Sequence, residues 1–355
     1  MWSTDAAAMK ADFDLIFQRA YDRTKGSGEL ANLAELFTDA ALKSYREALL
    51  RGIDPASRAS ADIAWIDKRP IAKLKADSPG AELGDMMLVV NHFDPAGHVS
   101  SRACILEVKQ SPSMVIPPVP VTSGKSTINQ FAILSQWPRI VELKATGKNF
   151  HPLLRNVVTR DSPTRDVLAQ AWYTAVCPKG SQKQPWMVAP AIKDAEFSQT
   201  LGALFTACCR SESLHLPDVG PVGVGREFTP NSTLNSPADW NALVNTILDV
   251  AGSYDLPPAY FGQGAGSRRR STWSSLPALA PVGFASGFWN SNLLNFGLGC
   301  FTTILLIGVL ALQGSALMAP PRYWLRRRRR NAFPILTLTI AHSETFDLPR
   351  DRSLD

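Results

Sequence analysis

Glu82-Leu83-Gly84-Asp85 leads straight into the apolar run Met86-Met87-Leu88-Val89-Val90, and Ala103-Cys104-Ile105-Leu106 leads into Glu107-Val108-Lys109. Both runs read as β-strands. The loop between them holds Asp94, Pro95 and Gly97, residues suited to a hairpin turn. Strands that are apolar at every position imply a sheet covered on both faces. The expected fold class is therefore α/β, a mixed sheet flanked by helices. In such a hairpin the acid that starts one strand lies beside the end of its partner. Asp85 and Glu107 are then placed to share a divalent metal. Glu107 and Lys109 are two residues apart and point to one face. The metal would lower the pKa of a water, and Lys109 would orient that water or steady developing negative charge.

Outward from this hairpin, Asp12 to Tyr21 reads as an amphipathic helix, with Phe13, Ile16, Phe17 and Ala20 on one face. A second helix is expected from Glu29 to Leu50. Asp54 to Gly80 reads as a mixed connector with a short apolar piece at Trp65 and Ile66. Thr127 to Leu143 reads as a helix interrupted at Pro138. Residues 144–237 hold short elements separated by Pro and Gly. Pro237 to Val250 reads as a helix with Ser236 as its N-cap, and Phe333 to Ala341 as a late strand.

The chain has 355 residues, 45% of them apolar, and a formal charge of +6. Much of the positive excess is local, at Arg268 to Arg270 and at Arg322 and Arg326 to Arg330. Anionic partners, nucleic acid or lipid head groups, are favoured. The five cysteines show no CxxC spacing, so neither a zinc knuckle nor a disulfide framework is indicated. Cys104 reads as a small core residue. Met1 to Lys25 carries Asp5, Asp12 and Asp14 and no apolar run suited to a secretory signal. The N-terminal body is expected in the cytoplasm.

Phe296 to Met318 contains no charged residue. As a helix it would reach roughly 34 Å, enough to cross a hydrocarbon layer of about 30 Å. Tyr323, Trp324 and Arg326 to Arg330 resemble the aromatic and basic edge of a membrane span. The competing reading is a buried core helix. Both Arg326 to Arg330 and the N-terminal body favour the cytoplasmic side, which a hairpin with Leu276 to Trp289 as its first arm would satisfy. A single span against the charge rule is the rival. The expected division is a soluble body at 1–262, with helices at 12–50 and a candidate core at 80–250. A basic linker (263–275), a membrane-embedded segment (276–318) and a basic flank, late strand and polar tail (319–355) follow.

Other motifs carry less. Ser123-Gly124-Lys125-Ser126-Thr127 imitates the end of a phosphate loop, but Val119 stands where the leading glycine belongs. The histidines lack ligand spacing, and His92 and His98 are expected to be solvated in the hairpin turn. Gly220 to Gly225 has no helix behind it.

The Asp85, Glu107 and Lys109 arrangement resembles the PD-(D/E)xK nuclease superfamily, over about residues 80–140. Asp85 matches its first acid, and Glu107 and Lys109 its (D/E)xK pair. A loose group of uncharacterised bacterial proteins shares the ELGD-type strand start, a second strand ending in (Q/E)xK and a helix with a tryptophan-proline pair, here Trp137-Pro138. The resemblance implies a restriction-endonuclease-like core and Mg²⁺ or Mn²⁺ at Asp85 and Glu107. It also implies a glutamate from the first helix, for which Glu29 and Glu35 are candidates. Some members carry Gln-x-x-x-Tyr after the lysine; here Gln130 matches, and Leu134 stands in place of the tyrosine. Gly84 replaces the usual proline. The implied function is metal-dependent cleavage of DNA or RNA phosphodiesters by a protein of the cell inner membrane, its body cytoplasmic. It would contact lipid through 296–318 and Arg326 to Arg330. The alternative is a membrane-anchored scaffold or binding protein that keeps the fold without the chemistry.

Overall fold

The computed structural model describes residues 6–24, 28–53, 57–67, 70–73, 80–94, 99–137, 140–145, 152–157, 165–180, 184–217, 219–230, 240–253, 270–271 and 332–342. The expected membrane segment, the Arg326 to Arg330 run and His98 lie outside the described residues. Among the described residues, no helix is long and apolar enough to cross a membrane.

The chain opens with helices α1 (Ala6–Arg23), α2 (Glu29–Glu35) and α3 (Asp39–Gly52). Strands β1 (Ser57–Asp67), β2 (Pro70–Lys73), β3 (Ala81–Glu82), β4 (Met86–Phe93) and β5 (Val99–Gln110) follow. Then come α4 (Lys125–Gln136), β6 (Ile140–Ala145), β7 (Pro152–Val157), a 3₁₀ turn (Arg165–Gln170), β8 (Ala171–Val176), β9 (Trp186–Pro190) and β10 (Gln199–Thr200). The rest are α5 (Leu201–Arg210), β11 (Ser213–Leu216), β12 (Gly220–Gly223), β13 (Arg226–Phe228), α6 (Trp240–Ser253), β14 (Arg270–Ser271) and β15 (Ala332–His342).

Among these strands, nine form one mixed sheet in the order β10-β9-β8-β5-β4-β15-β1-β14, with β13 added to β5. The β4–β5 hairpin is antiparallel, whereas β8 joins β5, and β15 joins β4, in parallel. A smaller sheet has the order β3-β2-β6-β7. Along β4, Met86, Leu88 and Val90 enter one core and Met87 and Val89 the other. That alternation is why the strand is apolar at each of these positions. The first core packs α1, α3 and α5 on the sheet through Phe13, Phe17, Tyr45 and Phe205, with Phe17 and Phe205 edge to face at 4.9 Å. The second holds α4, α6 and residues of the smaller sheet, with Trp137 edge to face on Trp240 at 5.4 Å. The α/β class with a mixed sheet flanked by helices is thus observed.

Several local expectations are corrected. The single helix over Glu29 to Leu50 is two helices. Thr38 leaves helical geometry and its Oγ1 accepts the Ala41 N–H at 3.2 Å, capping α3. Apolar spacing runs on across the break because both helices pack on one core. The helix over Thr127 to Leu143 ends at Gln136. Trp137 is left-handed (φ 45°), the proline after it disfavours helix at that position, and Ile140 starts β6. The connector from Asp54 to Gly80 contains β1, which pairs with β15 along its whole length. Small and polar residues such as Ser60 and Asp62 hide that strand from a propensity argument; its pairing overrides them. His92 is not in a solvated turn: β4 runs on to Phe93 and half-buries it.

Candidate functional site

Asp85 stands immediately before β4. Gly84 sits at φ 149°, which a proline ring cannot adopt. A Cβ there would also lie 2.4 Å from Ile105 Cγ2. Both facts explain why glycine precedes this acid. Asp85 brackets the residue opposite. Its N–H donates to Leu106 O at 2.9 Å, and its Oδ2 accepts the Val108 N–H at 2.8 Å. The residue between those two anchors is Glu107. Both acids are fully buried, at 0% exposure.

Glu107 has two neighbours that hold it. Lys109, two residues along β5 on the same face, forms an ion pair with Oε1. Gln130 of α4 donates from Nε2 to Oε2 at 2.5 Å. The four residues Asp85, Glu107, Lys109 and Gln130 are therefore one cluster, as their sequence positions imply. Burial by itself would lower the Lys109 pKa. Glu107, Asp85 and Glu29 outweigh it and hold the ammonium well above its ordinary value. Lys109 is a fixed positive charge and donor here.

That influence also separates the two first-helix candidates. Glu29 opens α2 close enough to act on Lys109, and Asn32, one turn on, donates to Gln110 Oε1 at 3.3 Å. Glu35 instead faces Arg23 at 3.7 Å. Leu134, which stands where some superfamily members have tyrosine, is buried in the second core. The residue that sequence reasoning missed is Tyr173. It lies in parallel register with Glu107, on β8. Burial first, then Glu107 and Asp85, push its phenol far above the ordinary range, so it stays protonated. No spacing rule could have found it, because α4, β6 and β7 lie between β5 and β8 in the chain.

Among the described residues, no group of three or more His, Cys, Asp and Glu side chains is placed to hold a metal. A Mg²⁺ or Mn²⁺ ion needs fewer protein ligands. It is commonly held by one or two carboxylates, the rest being water and phosphate oxygens. The donors here are hard oxygens. Glu107, Asp85 and Glu29 all act on the one Lys109 ammonium, so acidic side chains outnumber the basic one in this cluster, a donor set that suits a divalent cation. The residues fit such an ion. By contrast, Ser123 to Ser126 are exposed, Thr127 is half-buried, and the stretch follows the irregular residues 111–122, with no strand leading into it.

The chain matches no family model, and no curated protein or solved structure is significantly similar to it. The nuclease resemblance rests on the residues themselves.

Proposed function

We propose that the chain is a membrane-associated protein whose body carries a metal-dependent phosphodiesterase site of restriction-endonuclease-like type. The observation that carries this reading is Asp85 bracketing Glu107 across the hairpin, with Lys109 and Gln130 both on that glutamate. Asp85 and Glu107 are the residues that would hold Mg²⁺ or Mn²⁺. When bound, such a cation draws charge from the phosphodiester and lowers the pKa of a bound water. The Val108 N–H fixes the Asp85 carboxylate, and the Gln130 amide fixes Glu107. Lys109, kept protonated, sets a positive charge where negative charge develops on the phosphate. Nucleic acid is the substrate class proposed.

The membrane part of the proposal draws on α6 and β15. One lies before the apolar stretch and the other after it, and both belong to the same body. A bilayer excursion by 276–318 must therefore return to the side it left. This supports a hairpin over a single span and agrees with basic residues on both flanks. Reporter fusions at the two ends of the full chain should both read cytoplasmic; a C-terminal reporter outside the inner membrane would overturn the hairpin.

The site is tested with the detergent-solubilised full chain. Mn²⁺ at a hundredfold excess over Kd should stabilise the native state by about 2.7 kcal/mol. Asp85→Asn should abolish that shift with little loss of basal stability, since an amide oxygen still accepts from Val108. Lys109→Ala should keep metal binding and remove DNA or RNA cleavage. Cleavage that survives Lys109→Ala would refute the site. A second reading, an inactive nuclease-fold scaffold, draws on the full burial of both carboxylates and on Glu107 being engaged by Lys109 and Gln130. Metal binding without cleavage of any single- or double-stranded substrate would favour it.

A further inference from the structure

Tyr173 is register-paired with Glu107 on the neighbouring strand, so the two side chains share one face of the sheet. Its ring lies 6.3 Å from that of Phe131, the residue after Gln130. The side chain is fully buried, and its Oη has no hydrogen-bond partner among the described residues. A buried hydroxyl left unmatched is destabilising, because it loses its hydrogen bonds to water and gains none. Phenylalanine would fill the same space without that penalty. A phenol kept at such a place points to a partner that the polypeptide does not supply. Glu107, one of the two carboxylates proposed to hold a cation, lies beside it in the register, and Glu107 and Asp85 both act on the phenol.

We propose that Tyr173 binds the substrate, its O–H donating to a non-bridging oxygen of a phosphate drawn to the cation that Asp85 and Glu107 would hold. The inference rests on the phosphodiesterase reading. It makes the phosphate site three-sided: the residue before β4 and strand β5 supply the acids, β5 the lysine, and β8 a neutral donor. A neutral donor adds recognition of the anion without adding charge that would compete with the metal.

The experiment compares the full chain with Tyr173→Phe in detergent, using Mn²⁺ alone and then inorganic phosphate in saturating Mn²⁺. Loss of one hydrogen bond to an anion should weaken phosphate binding about tenfold. Mn²⁺ affinity should not change, and the Tm should hold or rise because an unmatched hydroxyl is gone. A Tyr173→Phe variant that binds phosphate as tightly as the parent overturns the inference alone. A fall in Tm with phosphate affinity intact makes the hydroxyl a structural group and also overturns it. A parent chain that does not bind Mn²⁺ removes the phosphodiesterase reading and this inference with it.

Discussion

Asn91 and Ser101 are paired towards one end of the β4–β5 ladder; Asp85, just before its other end, brackets Glu107 through the backbone of Leu106 and Val108. Both pairs lie on the same face of the same sheet and are equally inaccessible, at 0 to 2% exposure. Their solutions to burial differ. Ser101 Oγ donates to Asn91 Oδ1 at 2.7 Å, and no ion is involved. The other end buries two carboxylates and must bring in Lys109 and the Gln130 amide to hold one of them. Taking a charge out of water costs several kcal/mol even after relaxation, far more than burying a matched hydroxyl. A sheet that can close one end of its ladder with serine and asparagine does not need aspartate and glutamate to close the other. The charged end is where the fold accepts a cost it could avoid, and such places are where function is sought.

The contrast can be broken at its strong end first. Lys109→Met leaves Glu107 buried beside Asp85 without its ammonium. The expected loss is about 3–5 kcal/mol by urea unfolding. Much of it should return in the Lys109→Met/Glu107→Gln double variant, because the amide needs no counter-charge. A Lys109→Met loss as small as that of a neutral hydrogen bond would mean the two ends are equivalent.

The neutral end can be tested with protons. Its other face carries His92, where burial, helped by the Arg102 charge and opposed by a hydrogen bond with the Cys209 backbone, lowers the pKa from 6.5 to about 4. The unfolded chain then binds a proton between those two values that the folded chain refuses. Stability should fall as pH drops from 6.5 toward 4 and level off below, by on the order of 2 kcal/mol after allowance for partial exposure. His92→Gln should flatten that part of the acid limb. An unchanged pH slope would show that this end accepts charge.

Ser101→Ala removes one neutral hydrogen bond and should cost about 1 kcal/mol in the same urea experiment. It should leave Mn²⁺ binding untouched, since its partner Asn91 lies at the far end of β4. Coupling of Ser101→Ala to metal affinity would mean that the ladder transmits between its ends.

Much of this architecture is legible in the amino-acid sequence. The β4–β5 hairpin, α1, α6 and β15 announce themselves through apolar runs or helical periodicity, since burial forces the pattern. The acids and lysine follow from where the two strands begin and end. What was hidden has physical reasons. β1 is held by its neighbours and built from small and polar residues, so its own propensity is silent. Ile140 to Ala145 carries apolar spacing that a helix would also use, and only the turn at Trp137 decides for a strand. The choice between Glu29 and Glu35 depends on how α2 is oriented once Thr38 ends the helical run. Tyr173 could not be read at all, because a parallel pairing such as β5 with β8 leaves no mark on local spacing.

β15 has a consequence for how the protein is made. It occupies the middle of the large sheet, between β4 and β1, yet it is the last described strand to leave the ribosome. Until Ala332 to His342 emerges, β1 and β4 present inner edges with open backbone donors and acceptors, and such edges are templates for pairing between chains. A nascent or prematurely terminated chain ending before Ala332 therefore carries a sheet split along its centre, a natural client for chaperones and proteases. For the same reason a variant lacking the apolar stretch should be made by internal deletion that keeps Ala332 to His342, not by truncation before it.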